Sequence, residues 1–296
     1  MNAAIGTSLR SAGLDPDEVS RIVDTALDED LRYGPDVTTE ATIRADQIAT
    51  AQVVARESGI VCGVDVARAV LDVVGFAPEG VTVHVHDGEP VEPGTVILTA
   101  SGLLRPLLVA ERTVLNFLTH LSGVSTVTRT WVGVLEGTGC RVRDTRKTLP
   151  GLRQLEKYAV RCGGGVNHRM GLGDAALIKD NHVAASGSIA RAIADVRRSR
   201  PDIALEAECD RLDQVREALD AGCSLILLDN MVVSDIEKAV ELASSSDALL
   251  EASGGITLDN VRAIAQTGVD YVAVGAITHS VRALDLGLDI REDEPT

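Results

Sequence analysis

The sequence predicts an α/β fold in which a region of short strands is followed by an incomplete βα barrel. The main observation is a near-constant period in the second half of the 296-residue chain. The distance from Glu208 to Asp229 is 21 residues, from Asp229 to Ser253 it is 24, and from Ser253 to Gly275 it is 22. One strand plus one helix fills such a period, and repeated units of this kind form a parallel sheet. The helical and repeat regions span about 175 residues, whereas a full eight-fold barrel takes roughly 250.

The N-terminal part begins with a helix and continues with strands. Asp15 is a helix cap and Pro16 occupies the first helical position, so a helix is predicted to run to about Glu29. Residues 48–100 then have the pattern of short strands, and Val81–His86 alternates apolar and polar side chains with a period of two.

A helical stretch over Leu107–Gly123 leads into the repeats. The predicted strands that follow are Arg141–Thr145, Ala175–Asp180, Ile203–Glu208, Leu225–Asp229, Leu249–Ser253 and Tyr271–Gly275. Helices are expected between them. One begins at Asp210, one has Ser234 and Glu237 as a capping box, and one begins near Thr257.

Composition excludes several classes of partner. The formal net charge of −16 argues against binding to nucleic acid or to anionic membranes. No apolar run approaches the ~20 residues needed to span a bilayer, and the first residues lack the pattern of a secretion signal. The five cysteines form no C-x-x-C pair and are expected to be reduced thiols. We therefore expect a cytoplasmic protein.

One segment departs from the acidic character of the chain. Between residues 140 and 182 there are nine basic and four acidic residues. The basic residues are Arg141, Arg143, Arg146, Lys147, Arg153, Lys157, Arg161, Arg169 and Lys179. Such a cluster in an acidic protein predicts a small polyanionic ligand. For Arg153, Lys157 and Arg161, which have helical spacing, a solvated helix face is the alternative.

Glycine-rich turns and carboxylates mark the ends of the last predicted strands. Ser253-Gly254-Gly255 follows one strand, and Gly275-Ala276 follows the next. Two such turns after the last strands of a βα barrel are typical of a phosphate site. Glu208 and Asp229 end consecutive strands, and their carboxylates suit the vicinal hydroxyls of a ribose. A sugar phosphate that carries several anionic groups is therefore the predicted ligand.

Motifs along most of the chain resemble those of the quinolinate phosphoribosyltransferases. The most specific run extends from Arg143 to His182. The matching segments are Arg143–Arg153, Lys157–Val160, Gly163–Arg169, Leu172–Asp174, Ile178–His182, Glu111–Thr113, Leu115-Asn116, Leu121–Gly123, Glu206, Glu208, Leu228–Asn230, Ser253–Gly255 and Val274–Ala276. Residues 1–10 and the tail after Arg291 carry no such match.

The resemblance implies a role for each motif residue. The two carboxylates of quinolinate would be bound by Arg146, His168, Arg169 and Lys179, and by Arg112 from the neighbouring subunit. Lys147 would contact the phosphates of phosphoribosyl pyrophosphate, and Glu208 and Asp229 would bind its ribose hydroxyls. The 5′-phosphate would be held by Ser253, Gly254, Gly255, Gly275 and Ala276. Mg²⁺ would enter with the pyrophosphate, held mainly by substrate oxygens.

The resemblance also implies the architecture and the reaction. Residues 1–115 would form an N-terminal α/β sandwich, and residues 116–279 an incomplete, seven-stranded α/β barrel. The tail, residues 280–296, would pack back on the sandwich. The enzyme would be a homodimer with shared active sites. It would transfer phosphoribosyl to quinolinate with decarboxylation, in de novo NAD biosynthesis.

Three alternatives remain open from the sequence. A paralogous transferase could act on another aromatic acid, although several cations favour a diacid. A lipoyl or biotinyl carrier is suggested by Asp87–Gly94, but residues 1–146 contain no lysine to acylate. A non-catalytic sensor of sugar phosphates is the third, and turnover would distinguish it from an enzyme.

Overall fold

The computed structural model describes residues 1–291, which fall into two units. Unit 1 comprises Met1–Arg129, Leu149–Gly164 and Ser280–Thr296, the last of these described as far as Arg291. Unit 2 comprises Thr130–Thr148 and Gly165–His279. The domain ranges expected from the sequence, 1–115 and 116–279, remain a prediction.

Unit 1 is built from helices and a four-stranded antiparallel sheet. Its helices are α1 (Ala3–Ser11), α2 (Pro16–Leu31), α3 (Val37–Thr42), α4 (Val64–Val73) and α6 (Arg153–Cys162), and the long helix α5 (Leu104–Leu135) begins in it. Its strands are β1 (Ile48–Ala55), β2 (Gly59–Ile60), β3 (Val81–Val83), β4 (Pro90–Val91), β5 (Val96–Leu103) and β12 (Leu286–Arg291). The main sheet has the order β12-β1-β5-β3, and β2 pairs with β4.

Helix α2 confirms the helix predicted from Asp15. The Asp15 carboxylate accepts a hydrogen bond from the Asp17 backbone N–H at 3.0 Å, and Pro16 occupies the first turn. Val19, Ile22, Val23 and Leu27 are buried at helical spacing. The short strands predicted for residues 48–100 are confirmed at β1 to β5, but the prediction was wrong for Val64–Val73, which form helix α4. The alternating segment forms a strand only over Val81–Val83.

The C-terminal strand β12 pairs antiparallel with β1 along its whole length, from Ala55 opposite Leu286 to Thr50 opposite Arg291. The first part of the tail expected to pack on the N-terminal domain thus adds an edge strand to the sheet of unit 1. Its last residues, 292–296, lie outside the described residues.

Helix α5 is longer than the sequence suggested. The prediction ended this helix at Gly123, but the helix continues to Leu135. Gly123 does not end the helix. It allows the chain at Arg282 to pack closely, because a Cβ atom at position 123 would lie 2.3 Å from the Arg282 carbonyl oxygen. Glycine here lets the backbone of another segment approach the helix.

Unit 2 contains a six-stranded parallel sheet in the order β6-β11-β10-β9-β8-β7. Its strands are β6 (Arg141–Arg143), β7 (Ala175–Ile178), β8 (Ala204–Cys209), β9 (Leu225–Asp229), β10 (Leu249–Ser253) and β11 (Tyr271–Ala273). Its helices are α7 (Asp180–Ser186), α8 (Ile189–Ser199), α9 (Leu212–Asp220), α10 (Val233–Ala243), α11 (Val261–Ala265) and α12 (Ala276–His279). Within the described residues, Val166 adds one parallel bridge to Arg143 beyond these six strands. The predicted α/β fold with a parallel sheet that does not close is confirmed, and within the described residues this sheet has six strands, one fewer than the seven that the resemblance implies.

Three helix starts predicted in unit 2 were wrong. Helix α10 begins at Val233, so Ser234 lies inside its first turn, where its side chain cannot cap. Helix α9 has Arg211 in place of Asp210 as its N-cap. Helix α11 begins at Val261, because the segment from Thr257 first forms a turn. The caps mark the right regions, but a short polar residue serves a turn as readily as a helix end.

Aliphatic side chains fill the interiors of both units, as expected from an aromatic content of 2%. The five cysteines carry free thiols. In the part of the chain that the structure describes, no helix combines the length and the apolar character needed to cross a membrane.

Candidate active site

A cavity of about 540 Å³ lies within unit 2 at the carboxyl ends of its parallel strands. In a parallel sheet these ends meet at one edge, so side chains far apart in sequence are brought together. Ten of the predicted site residues line the cavity. They are Arg146, Lys147, His168, Arg169, Lys179, Glu208, Asp229, Ser253, Gly254 and Gly255.

Three cationic side chains of the cavity wall form no ion pair with any carboxylate of the described residues. Among the described residues, the side chains of Arg146 and Lys147 make no hydrogen bond or ion pair. Arg169 donates one hydrogen bond to the Ala175 carbonyl at 3.1 Å, while its buried Nε has no acceptor. Burial, and then the nearby charge of Arg146, lower the pKa of Arg169 from its ordinary value. An anion placed here would relieve this repulsion.

Lys179 and Glu208 form an ion pair at the more exposed part of the cavity. The Lys179 side chain is 44% exposed and that of Glu208 is 17% exposed. The backbone N–H of Lys179 donates to His182 Nδ1 at 2.9 Å, which fixes the chain where β7 passes into α7. Because the pair is partly solvated, its two members can separate at modest cost when another charged group arrives.

A buried cluster forms the floor of the cavity. His168 Nε2 lies 2.8 Å from a Glu206 oxygen and 3.7 Å from a Glu251 oxygen, and Arg143 forms an ion pair with Glu251. Neither Glu206 Oε1 nor Glu251 Oε1 has a hydrogen-bond partner. Burial, and next the neighbouring Glu206 carboxylate, raise the pKa of Glu251 to about 7. Glu251 therefore changes its protonation state near neutral pH.

The hydrogen bonds of His168 define its tautomer. Its Nδ1 accepts the backbone N–H of Arg169 at 2.8 Å, so Nε2 carries the proton and donates to Glu206. A metal ion on Nε2 would require that nitrogen to be bare and Nδ1 to be protonated. The three side chains His168, Glu206 and Glu251 are close enough to hold an ion, but this hydrogen-bond pattern does not fit one.

The remaining predicted residues lie outside the cavity wall. Gly275 supports Lys147, because a Cβ atom there would lie 2.9 Å from Lys147 Cδ. Ala276 opens the short helix α12, in which Thr278 Oγ1 donates to the Lys147 carbonyl at 2.7 Å. Arg112 lies on α5 in unit 1, is exposed, and pairs with no other described residue.

Several wall residues were not among the predicted site residues. They are Thr145, Leu177, Leu227, Asn230, Glu251 and Ala273. Alternation along a strand could have found most of them. Leu177, Leu227 and Glu251 each precede a site residue by two positions, so they face the same side of the sheet. Asn230 belongs to the motif segment Leu228–Asn230, but no role was assigned to it from the sequence.

Comparisons with known proteins agree with this geometry. Family models described as the N-terminal and C-terminal domains of quinolinate phosphoribosyl transferase match residues 36–122 and 124–289. A nicotinate-nucleotide pyrophosphorylase (carboxylating) of Mycobacterium leprae is 53% identical over 269 residues, which cover 90% of this chain and 94% of the relative. The chain belongs to the quinolinate phosphoribosyltransferase family.

Solved structures in the same group share the fold. The nicotinate-nucleotide pyrophosphorylase of Ehrlichia chaffeensis has a TM-score of 0.87 at 40% identity, covering 92% of this chain and 98% of its own. That of Francisella tularensis has a TM-score of 0.86 at 39% identity, covering 93% and 96%. Residues 87–94 fall within the match to the N-terminal domain of the quinolinate phosphoribosyltransferases, so the carrier-domain alternative is wrong.

Proposed function

We propose that the cavity of unit 2 binds phosphoribosyl pyrophosphate and quinolinate side by side. The chain is a phosphoribosyltransferase of NAD biosynthesis. It joins the phosphoribosyl group to quinolinate and releases pyrophosphate and carbon dioxide, which leaves nicotinate mononucleotide. The single observation that supports the proposed site best is the set of unpaired cations formed by Arg146, Lys147 and Arg169 at the carboxyl ends of the strands.

In the proposed site, quinolinate binds to the cationic wall. Arg146 and Arg169 receive its two carboxylates, since guanidinium groups match carboxylates in charge and geometry. Lys179 joins them by leaving Glu208, and His168 borders the same space. Each unpaired donor gains an anionic acceptor, so binding removes the repulsion between Arg146 and Arg169.

Phosphoribosyl pyrophosphate occupies the remaining part of the cavity. Glu208 and Asp229 accept hydrogen bonds from the ribose hydroxyls. The turn Ser253–Gly255, with Gly275 and Ala276 of the next turn, receives the 5′-phosphate, because glycines let backbone N–H groups approach an anion. Lys147 contacts the pyrophosphate. Mg²⁺ accompanies this group, bound mostly by its oxygens, and supplies charge neutralisation there.

The proposed catalysis depends on placement and charge. The pyridine nitrogen attacks the anomeric carbon as pyrophosphate leaves, so positive charge develops on the ribose and negative charge on the leaving group. Glu208 and Asp229 stabilise the first, and Lys147 stabilises the second. The bond between the ring carbon and the 2-carboxylate then breaks. Its electron pair stays on the ring carbon, where the pyridinium stabilises it, carbon dioxide leaves, and the carbon takes up a proton from water. No side chain acts as a nucleophile, so the protein contributes orientation and electrostatics.

We further propose a cytoplasmic homodimer in which Arg112 completes the site of the partner subunit. Unit 1 exposes large apolar side chains, with Tyr33 at 89%, Val37 at 72% and Ile48 at 66%. These side chains are available for contact with a second subunit. Arg112, exposed and without a described partner in its own unit, is available to a ligand of another subunit.

The reaction is tested by incubating purified protein with quinolinate, phosphoribosyl pyrophosphate and Mg²⁺. We expect one carbon dioxide and one pyrophosphate for each nicotinate mononucleotide, measured by mass spectrometry and gas release from carboxyl-labelled substrate. Nicotinate should be a poor substitute, because its single carboxylate leaves part of the cationic wall unpaired. Efficient turnover of nicotinate would contradict the assignment of a diacid substrate. Binding without turnover would instead support the sensor alternative.

A further inference from the structure

We propose that Asn230 is a positioning residue that sets the distance between the ribose subsite and the 5′-phosphate subsite. It thereby selects a 5-phosphorylated ribose as the donor. This inference rests on the proposed function, which places the ribose at Asp229 and the phosphate at Ser253–Gly255. Asn230 contacts both of these neighbours and acts through them.

The backbone of Asn230 is unusual within the described residues. Its φ angle of 54° is the only positive value at a non-glycine residue in that part of the chain. The left-handed region is costly for most L-residues, and asparagine tolerates it better than others. Such conformations persist where the surroundings enforce them, and they concentrate at functional sites. Asn230 directly follows β9, at the edge of the sheet where the cavity lies.

The side chain of Asn230 holds the carboxylate assigned to the ribose. Its Nδ2 donates a hydrogen bond to Asp229 Oδ2 at 2.7 Å. Asp229 is partly exposed and has no ion-pair partner among the described residues, so this amide restricts an otherwise mobile carboxylate. The bond occupies one oxygen and leaves Oδ1 for the ribose hydroxyls.

The same residue also fits against the phosphate turn. Its backbone N–H donates to the Ser253 carbonyl at 2.8 Å, next to the pairing of Ser253 with Asp229 in the sheet. A Cβ atom at Gly254 would lie 2.2 Å from Asn230 Oδ1. Glycine at 254 is therefore required for space as well as for its φ of 86°. The amide of Asn230 packs directly on the backbone that would receive the phosphate.

These contacts make Asn230 a spacer between two subsites. The Nδ2 atom of its amide orients the Asp229 carboxylate, and the Oδ1 atom limits how closely Gly254 can approach. A donor must place its ribose hydroxyls and its 5-phosphate at a matching separation to use both. Loss of the spacer should therefore affect phosphoribosyl pyrophosphate and leave quinolinate binding nearly unchanged.

Two substitutions separate the backbone from the side chain. Asn230→Gly keeps access to a positive φ and removes the amide, whereas Asn230→Asp keeps the shape and replaces the donor by a second carboxylate beside Asp229. Gln266→Glu, on the exposed end of α11, is the control for an added negative charge in the same unit. For each protein we would measure the KM for each substrate, kcat and Tm.

We expect Asn230→Gly to raise the KM for phosphoribosyl pyrophosphate by about tenfold, and Asn230→Asp to raise it further, because repulsion from Asp229 adds to the lost hydrogen bond. The KM for quinolinate should stay within about twofold. Ribose 5-phosphate carries the same hydroxyls and the same phosphate, so its affinity as a competing ligand should fall by a similar factor in Asn230→Gly. Equal effects on both substrates together with a lower Tm would show a merely structural role and overturn the proposal, as would unchanged kinetics. Failure of the proposed function would appear differently, as absent quinolinate turnover in the wild-type enzyme.

Discussion

Unit 1 and unit 2 both contain many charged side chains, but their sheets arrange them differently. In unit 1, pairs such as Arg44–Asp46, which are close in sequence, and Arg56–Asp289, which are far apart, lie at the exposed surface. In unit 2, Lys179–Glu208 and Arg143–Glu251 link side chains from different strands. A parallel sheet with repeated crossovers gathers the ends of all its strands at one edge, whereas an antiparallel sheet distributes them over two.

The difference indicates where the chemistry resides. Exposed surface pairs contribute little to stability or to binding, because water already solvates both members. The pairs at the cavity of unit 2 enclose a shared space, and the cations beside them lack partners. Within the site proposed here, unit 1 contributes one residue, the exposed Arg112. The predictions below test whether that contribution exists and which groups at the cavity matter most.

The largest expected effect comes from mixing two impaired variants. Arg112→Ala and Lys179→Ala should each have strongly reduced activity as homodimers, because each spoils both sites. If Arg112 acts on the partner's site, a mixed dimer has one site with both defects and one with neither. Activity should then return, up to about half per mixed dimer by the symmetry of a two-fold interface.

Mass spectrometry of the co-expressed, doubly tagged protein would establish that mixed dimers have formed. If Arg112 serves its own chain, every site in the mixture keeps one defect and activity stays as low as in the homodimers. That result would reject the shared site, because Arg112 of unit 1 would then act only on the site of its own chain. Either variant mixed with wild-type chains provides the matched control for the effect of assembly on activity.

The next largest effect should follow from neutralising a carboxylate at the proposed ribose subsite. Glu208→Gln and Asp229→Asn are near-isosteric, so both proteins should fold. Loss of an anionic partner for the developing positive charge should lower kcat by about 10²-fold or more. Steady-state kinetics with both substrates would measure this. A variant with wild-type kcat would exclude that carboxylate from the proposed role.

A smaller effect is expected from Lys179→Ala. Loss of one charge-assisted contact to a carboxylate should reduce quinolinate affinity or turnover by roughly ten- to a hundred-fold. The KM for phosphoribosyl pyrophosphate should change little. Lys179 pairs with Glu208, so the effects of Lys179→Ala and Glu208→Gln should not be additive in the double variant. Unchanged kinetics with quinolinate would place Lys179 outside the site.

The sequence was most informative where topology alone determines proximity. The strand ends at Glu208, Asp229 and Ser253 follow from the period of the repeats, and the structure places them around one cavity. Leu225–Asp229 and Leu249–Ser253 were predicted with their observed limits. Period and burial pattern are properties of the local sequence, so they can be read without knowing the fold.

Features that depend on packing in three dimensions could not be predicted in this way. The burial of Glu206 and Glu251 beneath His168, and the close contact between Asn230 and Gly254, arise from adjacent strands. The start of α10 at Val233 depends on the turn at Asn230 that precedes it. The continuation of α5 beyond Gly123 likewise reflects an approach by Arg282, which is distant in sequence.

The last effect that we predict is on stability, and it concerns the floor of the cavity and its dependence on pH. Burial raises the pKa of Glu251 from 4.5 to about 7, with Glu206 adding to the shift and Arg143 and His168 opposing it. An acid whose pKa is raised in the folded state contributes its full stabilisation only below its unfolded-state pKa. This stabilisation is lost as the pH rises toward the folded-state pKa. As the pH rises from about 4.5 to about 7, the unfolded chain ionises this group while the folded protein keeps it protonated.

The wild-type protein should therefore lose stability relative to Glu251→Gln across this interval, by about 3 kcal/mol at most, and no further above it. Urea unfolding of both proteins at several pH values between 4.5 and 8 would measure the difference in the free energy of unfolding, in which other titrating groups cancel. Glu241→Gln, at an exposed position of α10, should show no such trend and serves as the matched control. The lost contact with Arg143 lowers the stability of Glu251→Gln by a constant amount, so the diagnostic quantity is the slope with pH and not the offset. A difference that stays flat with pH would mean that Glu251 is ionised in the folded protein, and that the floor of the cavity carries two negative charges instead of one.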